Sequence, residues 1–321
     1  MRKIFLATTA LVAVTGVASA DSHADIAITG SSSFNYVMTG DEDNSKDMDT
    51  QVDVNINMSH ALENGMTVSG LYVMDEGIKD GPDDHGFSLG GDFGTIGFAG
   101  MSNDGFGATS NGVTKDEGST FDSVTVKGPG DKDIPVYVID EVYDDYIPHS
   151  DVSFKSVNIS GFQFGLGMTD GATDDDDGSQ FGMTYAMDVN DSMSVTLGYA
   201  KHSSGKSGGD ISSTGATLGF GDMTVKLASN VTAKEGVEYT GNSIAATYAV
   251  SDALTVQAYT GNIDNDAAAD YKVEDTAFGL TYTITPGMTV SVTHNEYTAD
   301  NTVADQDADG SRTAIALDVT F

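Results

Sequence analysis

The chain has no cysteine among its 321 residues. No disulfide can staple it, no thiolate can serve as a nucleophile, and zinc sites built on cysteine are excluded. Only 5 prolines interrupt it, so nearly every backbone N–H remains available to a strand ladder. Bases are scarce: 14 Lys and Arg stand against 49 Asp and Glu, for a net charge of −35. That balance excludes nucleic acid as a partner, because phosphate binding needs clustered Lys and Arg. Past Val17 no long apolar run follows. A spanning helix needs about 20 apolar residues, so none is expected. Nor does any stretch keep a helical period of 3.6.

What is there begins with a leader. Met1-Arg2-Lys3 precedes an apolar run from Ile4 to Val17, then Ala18-Ser19-Ala20, then an abrupt turn to acid at Asp21. A charged start, a short apolar stretch and an A-x-A site form a cleaved secretory signal. Residues 1–20 are therefore expected to be removed, leaving 21–321 as a single domain.

In that domain the apolar residues keep period two, the spacing of strands. Val52, Val54, Ile56 and Met58 alternate with Gln51, Asp53, Asn55 and Asn57. The same comb recurs at Phe162/Phe164/Leu166/Met168, Phe181/Met183/Tyr185/Met187, Ile244/Ala246/Tyr248/Val250 and Phe278/Leu280/Tyr282/Ile284. Such regularity argues against disorder, which a Gly-rich acidic composition would otherwise allow.

The connections alternate between two lengths. Short ones such as Leu62-Glu63-Asn64-Gly65, Gly91-Asp92-Phe93-Gly94 and Thr285-Pro286-Gly287 carry turn chemistry. Long ones, such as 41–49, 169–180, 202–212, 261–274 and 296–311, are acidic and rich in small residues. Alternation of this kind predicts about 16 antiparallel strands of about ten residues, closed into an outer-membrane barrel with short periplasmic turns and long external loops. The apolar comb then faces lipid and the polar comb a water-filled lumen. Closure follows because every backbone group in hydrocarbon must be paired. The last strand, Ile315-Ala316-Leu317-Asp318-Val319-Thr320-Phe321, alternates and stops on an aromatic. Phe321 is expected to act as the assembly signal read by the barrel assembly machinery.

Three passages carry a resemblance. They are the hairpin from Ser59 to Val68, the stretch Gly90-Gly91-Asp92-Phe93-Gly94-Thr95-Ile96-Gly97-Phe98-Ala99-Gly100, and the Phe-terminated last strand. In this order they resemble the Gram-negative general porins, most closely the alphaproteobacterial type. The resemblance implies a homotrimer of barrels, each with its own pore, narrowed by a third external loop folded inward. Residues 101–148 fit that loop: they follow the fifth strand and far exceed the ~12–15 residues of an ordinary connection. Their acids include Asp131, Asp133, Asp140, Glu141, Asp144 and Asp145, interleaved with Tyr137, Tyr143 and Tyr146. A solvated external loop is the plainer alternative. The family sets such acids against a cluster of bases on the facing wall, and here the chain departs from it. By parity the inward bases are only Lys155, Lys226 and Arg312, the one arginine left after the leader.

Catalytic constellations are missing. The 6 His are scattered without ligand spacing. Gly205-Lys206-Ser207 imitates the end of a phosphate loop, but Ala200 stands where its first Gly belongs and no helix follows. Asp305-Gln306-Asp307-Ala308-Asp309-Gly310 opens like a calcium loop, yet Ala316 replaces the closing Glu and the flanking helices are lacking. With the run Asp174–Asp177, it suggests loosely held Ca2+ or Mg2+ and no other cofactor. The expected function is passive diffusion of small polar solutes and ions, with a preference for cations. Two alternatives stay open: a structural or adhesive barrel with a plugged lumen, and a soluble secreted acidic β-protein.

Overall fold

The computed structural model describes residues 25–39, 46–74, 84–99, 124–128, 132–136, 151–169, 178–204, 210–234, 237–265, 271–301 and 308–321. The leader lies outside them. Strands β1 (Asp25–Thr39), β2 (Lys46–Ala61), β3 (Thr67–Met74), β4 (Asp84–Gly91) and β5 (Gly94–Ala99) come first. A separate pair, β6 (Val124–Gly128) and β7 (Lys132–Val136), follows. Then come β8 (Val152–Ser156), β9 (Phe162–Thr169), β10 (Gly178–Asn190), β11 (Met193–Ser204) and β12 (Asp210–Phe220). Next are β13 (Met223–Lys234), β14 (Val237–Ser251) and β15 (Leu254–Asn265). The series ends with β16 (Tyr271–Thr285), β17 (Met288–Asn301) and β18 (Ala308–Thr320). All but β6 and β7 form one closed antiparallel barrel of 16 strands.

Neighbours in sequence are neighbours in the sheet, apart from β5, which pairs with β8 across the segment that holds β6 and β7. The ring closes where β18 meets β1, in register from Ser31↔Thr320 to Thr39↔Arg312. Gly30 and Phe321 complete the seam. Each donates its N–H to the other's carbonyl, at 2.7 and 2.9 Å. The Phe321 ring lies over Gly30 so closely that a Cβ there would stand 2.8 Å from its edge and 2.7 Å from the Asp53 carbonyl oxygen.

Burial runs opposite to that of a water-soluble protein. Phe278 and Ile284 on the outer face of β16 are 60% and 51% exposed, while Ala277, next to Phe278 on the inward parity, is fully buried. Large apolar side chains ring the outside on strand after strand, among them Ile28, Phe87, Leu166, Met183 and Tyr248. In water such a belt would be an aggregation surface; in lipid it is solvated. A soluble acidic β-protein is incompatible with it.

The sequence-level turns close with their own side chains. Asn64 Oδ1 accepts from Met66 N–H at 3.1 Å, Asn190 Oδ1 from Ser192 N–H at 2.9 Å, and Ser251 Oγ from Leu254 N–H at 3.1 Å. One further turn joins β8 to β9, with Asn158 Oδ1 accepting from Gly161 N–H at 2.8 Å. At the head of β5, Gly94 holds φ 126°, and a Cβ would lie 2.1 Å from the Lys155 carbonyl oxygen.

Two expectations need correction. Strands are not uniform: β8 has 5 residues and β2 has 16. The long connections are also shorter than their composition suggests, because strands run on into them; β17 reaches Asn301 and β18 starts at Ala308. Beyond the apolar belt both faces are polar, so the alternation that marks a strand fades although the ladder continues. There Lys201 and Asp210 pair across the outer surface at 3.3 Å.

Candidate functional site

A 16-strand barrel is wide enough to keep an aqueous interior, so the inward parity is the place to look for function. On β2 that parity carries Gln51, Asp53, Asn55 and Asn57; on β12 Ser213 and Thr217; on β16 Asp275, Ala277 and Thr281. Polar side chains bond one another there. Ser31 donates to Asp53 Oδ2 at 3.0 Å, Gln51 to Asp53 Oδ1 at 3.2 Å, and Ser213 to Asn230 Oδ1 at 2.8 Å.

The wall is not evenly wetted. Each barrel strand from β4 to β12 carries at least one buried inward residue: Ser88, Gly97, Ser153, Gly167, Gln180, His202 and Ser213 in turn. The same holds from β13 to β17, with Asn230, Ala245, Tyr259, Ala277 and Asn295. By contrast no described inward residue of β18, β1, β2 or β3 is buried, and these four are neighbours in the ring. Among the described residues, both ring nitrogens of His202 and the amide nitrogen of Asn230 have no hydrogen-bond partner. Buried polar atoms in native proteins almost always find one, which points to polar matter against this wall. Strand β6 approaches β18, far round the ring from the β5–β8 pair that its segment joins.

The three inward bases are spread out. Lys226 sits near the short-turn end of β13, and from it one register line runs through Ala245, Tyr259, Ala277 and Asn295 to Arg312. Lys155 lies away from that line, opposite Thr95 and Gly165. Asp133 belongs to β7, with its side chain outside the described residues. Asp131, Asp140, Glu141, Asp144 and Asp145 also lie outside them, as do Asp305 and Asp307. Asp309 opens β18 and is exposed. Within the described residues no three potential ligands gather as a metal site.

Sequence reasoning placed Asp53 on the inward comb without giving its charge a role, and it passed over two further inward acids of the wall, Asp275 and Asp318. Their signal was available, since each interrupts the polar parity of a strand with charge. It also passed over the β6–β7 pair, although the sequence Gly128-Pro129-Gly130 carries turn chemistry between two β-prone runs.

The Gram-negative porin family matches residues 7–302. No curated protein matches the chain. Among solved structures, a trimer form of OmpT, an outer membrane protein of Vibrio cholerae, is 13% identical with a TM-score of 0.65, covering 93% of this chain and 99% of its own. The anion-selective porin from Comamonas acidovorans is 14% identical with a TM-score of 0.61, covering 93% and 100%. A mutant of the Rh. blastica porin is 18% identical with a TM-score of 0.62, covering 92% and 100%.

Proposed function

The chain belongs to the Gram-negative porin family, and from that premise we propose that its pore prefers cations and is narrowed by the segment 101–148. It is an outer-membrane channel. Family and fold are those of a channel rather than an enzyme. Small hydrophilic solutes and ions diffuse through it, driven by their gradients.

The observation that carries the narrowing is the uneven wetting of the wall. An open lumen would leave inward residues wet on every strand; a complete plug would bury them on every strand. Here burial extends from β4 to β17 and spares one contiguous set of four strands. Matter that fills most of the lumen and leaves a passage along one side fits both facts. The segment 101–148 is long enough, springs from β5, and sends β6 toward β18. Its acids would then border the passage. The acid excess of the whole chain, 49 against 14, favours cations at the mouth as well. Divalent cations gather at the acidic loops as diffuse counter-ions, and no cofactor takes part in conduction. The trimer form of OmpT supports a homotrimer for this chain also.

Purified protein added to a planar lipid bilayer tests the reading. Stepwise ohmic currents are expected, with closures in three equal levels for a trimer. Membrane-embedded protein that carries no current would establish the plugged barrel instead.

A further inference from the structure

We infer that permeating cations follow the wall formed by β18, β1, β2 and β3, and that Asp53 is the carboxylate that sets their preference over anions. The inference rests on the porin reading and adds to it the path and the residue. The path comes from the burial asymmetry: among the described residues, only these four neighbouring barrel strands carry no buried inward residue, with β6 approaching the ring at β18. Their surface is built for water. Ser31, Ser33, Gln51, Asn55 and Asn57 offer hydroxyl and amide groups around Asp53, which stands midway along β2.

Asp53 is held by neutral donors. Ser31 and Gln51 each donate to a different carboxylate oxygen, at 3.0 and 3.2 Å. Both donors are neutral, so the side chain is fixed without loss of charge. Among the described residues the inward base on this wall is Arg312, which lies opposite Thr39 of β1, whereas Asp53 lies opposite Ser31. At a strand rise of ~3.4 Å per residue, that offset puts Arg312 on the order of 25 Å away along the sheet. The distance is about three screening lengths at physiological salt, where the Debye length is ~8 Å. Arg312 therefore does not cancel the field at Asp53. Asp318 is nearer, opposite Ser33, and strand spacings put it roughly 12 Å from Asp53 on the same wall. It adds to the negative potential.

The closing experiment compares Asp53→Asn, Asp53→Lys and Asp275→Asn in bilayers at low salt. Asp275 lies on the covered wall. Asp53→Asn is expected to lower the cation-to-anion permeability ratio by roughly two-fold or more, and Asp53→Lys to turn it toward anions; Asp275→Asn should leave it near the wild-type value. An unchanged ratio in Asp53→Asn, with a fall in Asp275→Asn, would overturn the assigned path. Because the chain has no native cysteine, single cysteines give a second measurement that does not depend on the charge variants. Cysteine at Asn55 should react with a charged methanethiosulfonate during recording and change the current, while cysteine at Ser213 should stay silent. The reverse pattern overturns the path even where an Asp53 variant fails to assemble. A wild type that conducts no current would instead sink the open-channel reading beneath it, and one that selects anions would sink the cation preference.

Discussion

Removing Phe321 should cost the barrel its closing pair, and the size of the loss follows from the seam. Two contributions meet there. Phe321 is 43% exposed, so slightly more than half of it is covered, with its ring against Gly30. Full burial of a Phe side chain contributes about 1.5–3 kcal/mol; Phe321→Ala should therefore cost about 1 kcal/mol. Deleting the residue also strands the N–H and the carbonyl of Gly30, which now pair with Phe321 at 2.7 and 2.9 Å. An unsatisfied backbone group in hydrocarbon costs several kcal/mol, and at a wetted rim about 1–3 kcal/mol. The deletion should thus cost about 3 kcal/mol or more, mostly through the backbone. The assay is urea unfolding of barrels reconstituted in lipid, read by gel mobility without heating. The midpoint should fall slightly for Phe321→Ala and steeply for the deletion, with less assembled protein in cells. Equal losses in the two variants would refute the reasoning, since the ring alone would then be responsible.

Four other outcomes are expected. Shortening 101–148 should raise single-channel conductance in barrels that still assemble; an unchanged value would place the segment outside the lumen. Gly94→Ala should destabilise by about 2–4 kcal/mol, because its left-handed backbone and the nearby Lys155 carbonyl both resist a Cβ. Gly65→Ala, at φ 82° but in open space, should cost only about 1 kcal/mol in the same unfolding assay. Mass spectrometry of protein from outer membranes should find Asp21 at the amino terminus, and a chain still beginning at Met1 would contradict cleavage.

Much of the barrel was legible because lipid imposes a simple rule on sequence. Where one face meets hydrocarbon, as at Phe278, Leu280, Tyr282 and Ile284, alternation is forced and can be counted. Past the lipid the rule lapses. Residues 296–301 of β17 read as loop because neither face there excludes polar side chains, though the ladder goes on. The Val157–Gly161 turn was missed because its flanking strand β8 has only 5 residues, too few for a periodic signal. The site was less legible than the fold. Parity assigns Lys155, Lys226 and Arg312 to the inward face, but which inward residues stay wet depends on what lies across the lumen. That is long-range packing, and it drew notice to Asp53, an ordinary alternating polar position when read alone.

The central claim is that an acid-dominated, open passage governs conduction, and the zero-current potential of the wild type across a salt gradient tests it most directly. At low salt the sign should be that of cation preference. It should weaken as the screening length falls from ~30 Å at 0.01 M to ~3 Å at 1 M, and a chelator should strengthen it by stripping divalent counter-ions from the loops. An anion-selective sign at low salt, with the chelator present, would show that Lys155, Lys226 and Arg312 set the field, and would contradict the account.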